Sequence, residues 1–293
     1  MIKLIHGLFI ATLLLISTSA YSEDMFIVDI VLPAKNSTLE KLSKKIAEEQ
    51  NFIVHTYENQ LPNNEDKGDI LIIVSENLLP LLKSNSYKAK FALYVNSNEY
   101  FKSQHKNATA LFSDQPLKRQ VLLIKSIFDN KKVQLGIAYQ DKTYEKIIDD
   151  ISIQNPLLTI NSYEINTPNI IRSVTKIIQN NDVLLTTSEN TIYNSDTIRP
   201  ILLSSYRHQT LVIGPTEGFV KAGALATVLS TPDQYTSDIV SMVNYYIDTK
   251  KLPAPQYPSN FAVKINYSVA ESLGLTLPSE EELRRRFPDG ESN

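Results

Sequence analysis

Short apolar runs alternate with polar, helix-period stretches along most of this 293-residue chain. The runs cover residues 26–32, 52–56, 70–74, 91–95, 133–139, 157–163, 183–185, 211–213 and 261–265. They are rich in Ile, Val, Leu and Phe and do not alternate strictly with polar residues. A strand buried on both faces reads this way, as in a parallel sheet covered by helices. Between the runs, Leu39, Leu42 and Ile46 share one helical face, and Leu117, Val121, Ile124 and Phe128 share another. Residues 143–151, 169–179 and 235–246 repeat the pattern. Strand–helix repetition of this kind predicts the α/β class. The alternation runs twice, over 26–95 and again over 133–213, with 108–116 joining the two. Two open α/β lobes leave a cleft between them, the usual place for a small ligand.

Composition narrows the chemistry. The chain has no cysteine, so neither a disulfide framework nor Cys-ligated zinc or iron–sulfur is available. Only 8 glycines count against phosphate-cradling loops. A formal charge of −3 does not suit nucleic acid as a partner. Residues 1–22 begin with Lys3, continue through an apolar stretch and end on small residues. That pattern reads as an export signal, which makes the mature protein soluble and, in a bacterium, periplasmic.

No reaction centre is legible. His55, His105 and His208 lack metal-ligand spacing, and His55 reads as a packed strand residue. There is no Gly-x-Ser-x-Gly or His-Glu-x-x-His motif. No nucleophile or tuned carboxylate pair can be named, so binding without cofactor, metal or catalysis is the expectation. Late in the chain, Ser268-Val269-Ala270-Glu271 reads as a capping box before a helix ending at Gly274. Ser279 opens another helix, with Arg284, Arg285 and Arg286 toward its end.

Several stretches together carry a likeness. They are Ala110-Leu111-Phe112-Ser113-Asp114-Gln115-Pro116 before Leu122-Leu123-Ile124-Lys125, then Val133-Gln134-Leu135-Gly136-Ile137-Ala138-Tyr139. Val220-Lys221-Ala222-Gly223-Ala224-Leu225-Ala226 follows, and Val269-Ala270-Glu271-Ser272-Leu273-Gly274-Leu275 comes last. In this order and spacing the chain resembles periplasmic substrate-binding components of ABC transporters, the group that includes tryptophan-binding proteins. The resemblance implies the type I periplasmic-binding-protein fold, two doubly wound Rossmann-like lobes joined by three crossings around a ligand cleft. It implies a first lobe of 23–113 and 224–258 and a second of 114–223 and 259–293, with crossings near Ser113–Asp114, Ala224 and Pro258. The expected function is capture of a small organic molecule, probing no nucleic acid, by a monomer that hands it to an inner-membrane permease. The alternative is a ligand-sensing or scaffold protein that docks on a membrane sensor.

In doubly wound sheets, ligands sit beyond the carboxyl ends of the strands, where backbone N–H groups are free. The candidate ligand-binding residues are therefore Asn36, Ser75, Glu76 and Asn77 in the first lobe, where Asn96 and Ser97 are also strand-end positions. In the second lobe they are Gln140, Ser188, Glu189, Asn190, Glu217 and Gly218, with Asp141 at the same strand end as Gln140. Ser-Glu-Asn occurs at 75–77 and again at 188–190, at equivalent places in the two lobes. Each Ser can cap a helix and still offer a hydroxyl, and Glu189 is the preferred acidic contact. Gly218 and Gly223 are expected to turn the chain at the second crossing. Tyr139, Tyr193 and Phe219 read as packing residues.

Overall fold

The computed structural model describes residues 25–34, 37–48, 52–84, 86–129 and 131–288; the candidate signal segment and Asn36 lie outside them. β1 (Phe26–Leu32), β2 (Phe52–Glu58), β3 (Ile70–Val74), β4 (Ala89–Val95) and β5 (Ala108–Phe112) form one sheet. Its order is β2-β1-β3-β4-β5, and every pairing is parallel. β6 (Val133–Tyr139), β7 (Leu158–Glu164), β8 (Val183–Thr186), β9 (Leu211–Ile213), β10 (Ala226–Leu229) and β11 (Ala262–Ile265) form the second. Its order is β11-β10-β9-β8-β6-β7, with β10 and β11 antiparallel. The helices are α1 (Ser37–Ala47), α2 (Ser97–Phe101), α3 (Leu117–Phe128), α4 (Thr143–Gln154), α5 (Ile170–Gln179), α6 (Ile198–His208), α7 (Glu217–Ala222), α8 (Pro232–Thr249), α9 (Tyr267–Ser272) and α10 (Glu280–Arg285).

Helices cover both faces of each sheet, which is why the central strands are apolar throughout. Every residue of β3 is buried. In β2 and β7, at the sheet edges, only Phe52 and Leu158 are buried. His55 lies on β2 and is exposed, with its Nδ1 3.7 Å from Oδ1 of Asp29. The expected packed histidine is thus an edge-strand residue, because an edge has no second neighbour to bury it. On the first sheet, Leu42 and Ile46 of α1 and Ile239 and Val243 of α8 cover one face. Leu78, Leu82 and Tyr100 cover the other, from the 3-10 turn Glu76–Lys83 and α2. On the second sheet, Leu123 of α3, Ile148 of α4 and Leu283 of α10 pack on one side, and Val174 of α5 and Ile201 of α6 on the other.

The two sheets are interleaved in sequence. α3 follows the last strand of the first sheet yet packs in the core of the second. α8 follows a strand of the second sheet yet packs on the first. The chain returns a last time beside β5, where Gln256 N–H donates to Ala110 O at 2.9 Å and Gln256 O accepts from Phe112 N–H at 3.0 Å. α8 starts sharply because Thr231 and Gln234 form a reciprocal capping box with Pro232 at the first turn.

Three expectations are corrected. β10 pairs with β9 and β11 in the second sheet, so the second crossing lies at residues 229–231, not at Ala224. Gly223, at φ +124, ends α7 and does not mark a crossing. α9 is capped by Asn266, which accepts from Val269 N–H at 3.1 Å, and not by Ser268. β5 and β10 were not among the apolar runs. Their Ala and Thr residues give a weak strand signal, and their pairing is decided by neighbouring strands. Gly274, at φ +71, has the left-handed conformation expected of it.

Candidate functional site

Strand order reverses between β1 and β3 in the first sheet and between β6 and β8 in the second. The carboxyl ends at these reversals carry loops into a shared cleft, the expected ligand position for doubly wound sheets. Its outer part encloses about 320 Å³. Glu76, Asn96, Asn98, Glu99 and Lys102 line it from the ends of β3 and β4, and Gln140, Asp141, Ser188, Glu189, Asn190 and Thr191 from the ends of β6 and β8. A narrower inner part, about 30 Å³, runs to the crossings past Ser97, Asp114, Gln120, Tyr144, Thr187 and Tyr257. Asn98 and Ser188 line both parts.

Local chemistry fixes these loops. Asn96 caps α2, accepting from Asn98 N–H at 2.9 Å. Asp114, on the first crossing, accepts from Ser97 N–H at 2.8 Å and from Ser97 Oγ at 2.7 Å. Tyr257, on the third crossing, donates to Ser97 Oγ at 3.1 Å. Burial pushes the Asp114 carboxyl above the ordinary carboxylate range, against the opposing hydrogen bonds from Ser97. Burial also pushes the Tyr257 hydroxyl up to about 12, with the Asp114 charge adding to it. Glu76 is raised by burial first, then by the charge of Glu99, although it accepts the Asn96 N–H. Ser75 precedes it at φ +139, a conformation that non-glycine residues rarely hold.

The crossings are tied together. Arg119 is 1% exposed and donates through Nη1 to Gln115 Oε1 and to Pro258 O, both at 2.7 Å. Gln115 Nε2 donates to Ser230 Oγ at 2.9 Å, and Ser230 Oγ donates to Asn260 O at 2.7 Å. One side chain cluster thus joins residues of all three crossings.

The sequence-derived candidates divide into groups. Glu76, Gln140, Ser188, Glu189 and Asn190 come together around the outer cavity. Ser75 sits just behind Glu76 and accepts from Asn77 N–H at 3.4 Å, with Asn77 exposed. Glu217 and Gly218 start α7 and do not line either part of the cleft; Glu217 pairs with Lys221 at 3.1 Å. A Cβ on Gly218 would meet only Thr216 Oγ1, at 3.5 Å, so no tight turn demands glycine there. The repeated Ser-Glu-Asn does different work in each lobe. Glu189 Oε1 accepts the N–H groups of Gln140 and Asp141 at 3.0 and 2.7 Å, and Oε2 accepts the Thr187 hydroxyl at 2.9 Å. It staples the loop after β8 to the loop after β6. Sequence reasoning missed Asn98, Glu99, Lys102, Tyr144 and Tyr257. The polar α2 immediately after β4 was the available signal for the first three.

Among the described residues, no cluster of three or more His, Asp and Glu side chains is arranged to hold a metal. No described helix is long and apolar enough to cross a membrane.

No protein-family model and no curated protein matches the chain. Solved structures do. The ligand-free, open structure of a substrate-binding protein with adhesive properties from Clostridium difficile is 14% identical, with TM-score 0.64, and the alignment covers 88% of this chain and 97% of that one. The ABC domain from Streptococcus pneumonia in complex with L-Trp is 16% identical over 88% of this chain and 98% of that one, TM-score 0.58. A periplasmic ribose ABC transporter structure from Conexibacter woesei is 11% identical over 86% and 95%, TM-score 0.50. With its two interleaved, mostly parallel sheets and the cleft between them, the chain has the type I periplasmic-binding-protein fold.

Proposed function

We propose that this protein is a periplasmic substrate-binding protein that captures a small organic molecule between its lobes and delivers it to an inner-membrane permease of the ABC type. The observation that carries this reading is the outer cavity, about 320 Å³ and lined from both lobes at the strand ends. Its size falls in the range of about 300–1,000 Å³ typical of small-molecule sites. A ligand that touches both walls binds the closed arrangement better than the open one, and so shifts the lobes toward closure. The structural neighbours described as substrate-binding proteins support the role, and the export-like segment 1–22 supports the location.

The test is thermal unfolding of the purified mature protein with a library of amino acids, sugars, amines and nucleosides. A true ligand stabilises the folded state by mass action, by about 2.7 kcal/mol at a hundredfold excess over Kd, and so raises Tm. Ser188→Trp fills the cleft from a position lining both parts of it, and abolishes the shift while the protein stays folded. Absence of any shift across the library, or a shift that survives Ser188→Trp, overturns the reading.

A further inference from the structure

The two walls of the cavity agree in charge. Glu76 and Glu99 line it from the first lobe, and Asp141 and Glu189 from the second. Lys102, just past the end of α2, is the one cation among the lining residues; it pairs with Glu99 and its charge also reaches Glu76 and Asp141, so four lining carboxylates share a single cation. Asp114 adds a carboxyl deeper in the cleft. Apart from Lys102, the groups that donate hydrogen bonds to these acids are neutral. Glu189 takes backbone N–H groups and a threonine hydroxyl, and Asp141 takes the Thr143 N–H and hydroxyl. Neutral donors orient a carboxylate without cancelling its charge. The acids face one another from two bodies, so lobe closure brings like charges together in a space that loses water. The Glu76 carboxyl is raised, first by burial and then by the charges of Glu99 and Asp114, against the opposing Asn96 N–H and Lys102.

We infer that the ligand of this cleft is an organic cation, bearing an ammonium or amidinium group and no carboxylate, held between Glu76 and Glu99 on one lobe and Asp141 on the other. This rests on the capture reading above and gives it a substrate class. A cation removes the repulsion that opposes closure, whereas an anion adds to it. Selection by charge and closure of the lobes are therefore one event. A neutral polyol could donate hydrogen bonds to the same carboxylates, but it would leave their repulsion in place.

The experiment compares matched four-carbon compounds, 1,4-diaminobutane, 4-aminobutanoate, 1,4-butanediol and succinate, together with agmatine, choline, thiamine, free sugars and the common amino acids. Binding to the full mature chain is read by calorimetry at one fixed ionic strength. The tightest binder is expected to be a cation without a carboxylate. Its Kd should rise at least tenfold in Glu76→Gln and in Glu99→Gln, and both variants should melt at or above the wild-type temperature. Tightest binding by a sugar, a zwitterion or an anion that Ser188→Trp abolishes overturns the cation assignment and leaves capture standing. A cation whose Kd is unchanged in both glutamine variants also overturns it. Failure of every compound to bind overturns capture, and this inference with it.

Discussion

Replacing Glu189 separates two roles that the sequence could not distinguish. As a ligand contact alone, Glu189 could be removed with little effect on folding. The structure instead makes its carboxylate the acceptor of three hydrogen bonds at 2.7–3.0 Å that hold two cleft loops together. Hydrogen bonds to a charged group contribute about 1.5–3 kcal/mol each. The Gln140 and Asp141 amides stand at a half-open site where water can replace the lost acceptor, so the low end applies to them. Thr187 is 1% exposed, and its hydroxyl loses a partner that water reaches poorly. Glu189→Ala is therefore expected to cost about 4–5 kcal/mol, a fall in Tm on the order of 10–15 °C. Glu189→Gln keeps one oxygen for both amides and can offer its NH2 group to the Thr187 oxygen, so about 1 kcal/mol is expected. Urea unfolding followed by circular dichroism measures both. An alanine variant within 0.5 kcal/mol of wild type would refute the staple. A glutamine variant as unstable as the alanine one would show that charge, and not the hydrogen-bond geometry, holds the loops.

Arg119→Met keeps the aliphatic stem but strips Gln115 Oε1 and Pro258 O of their donor, which should cost about 2–5 kcal/mol by the same unfolding assay. It should also widen the distribution of lobe angles seen by small-angle scattering; an unchanged curve would count against the clamp. Gly136→Ala places a Cβ 2.5 Å from Ile177 Cγ2 and 2.8 Å from Asn181 Nδ2. Overpacking of that kind costs about 1–3 kcal/mol, checked by thermal melts. The pH dependence follows from Glu76 and Asp114, whose carboxyls are raised in the folded protein chiefly by burial. The folded state then binds protons more tightly than the unfolded chain, so their contribution is full below the ordinary carboxylate pKa of about 4 and is lost as pH rises through the raised values. Glu76→Gln should flatten that part of the stability profile, and an unaltered profile would reject the assignment.

Much of the fold was legible because burial on both faces leaves a mark in sequence. Ile70–Val74 has no polar residue because helices cover it above and below, and the strand shows plainly. Ala108–Phe112 and Ala226–Leu229 did not show, since small residues bury as readily in a turn as in a strand and only the adjoining ladder decides. The strand-end rule brought Glu76, Gln140, Ser188, Glu189 and Asn190 to one cavity, because chain direction in a doubly wound sheet determines which end the loops leave from. It also drew in Glu217 and Gly218, which the same rule cannot tell from true lining residues.

The sequence by itself determined the class, the doubling and the end of each sheet where a ligand would lie, because these depend on periodicity and direction along one chain. Only the tertiary structure decided what each polar residue does there. Glu189 faces a cavity and also holds two loops, and Asp114 and Tyr257 meet through Ser97 across 160 positions between Ser97 and Tyr257. Which lobe the chain occupies after Ala224, and which charges meet across the cleft, depend on contacts between distant segments. Hydrogen bonding and Coulomb interactions act over a few ångströms of space, and nothing in local sequence encodes which residues the fold will bring that close.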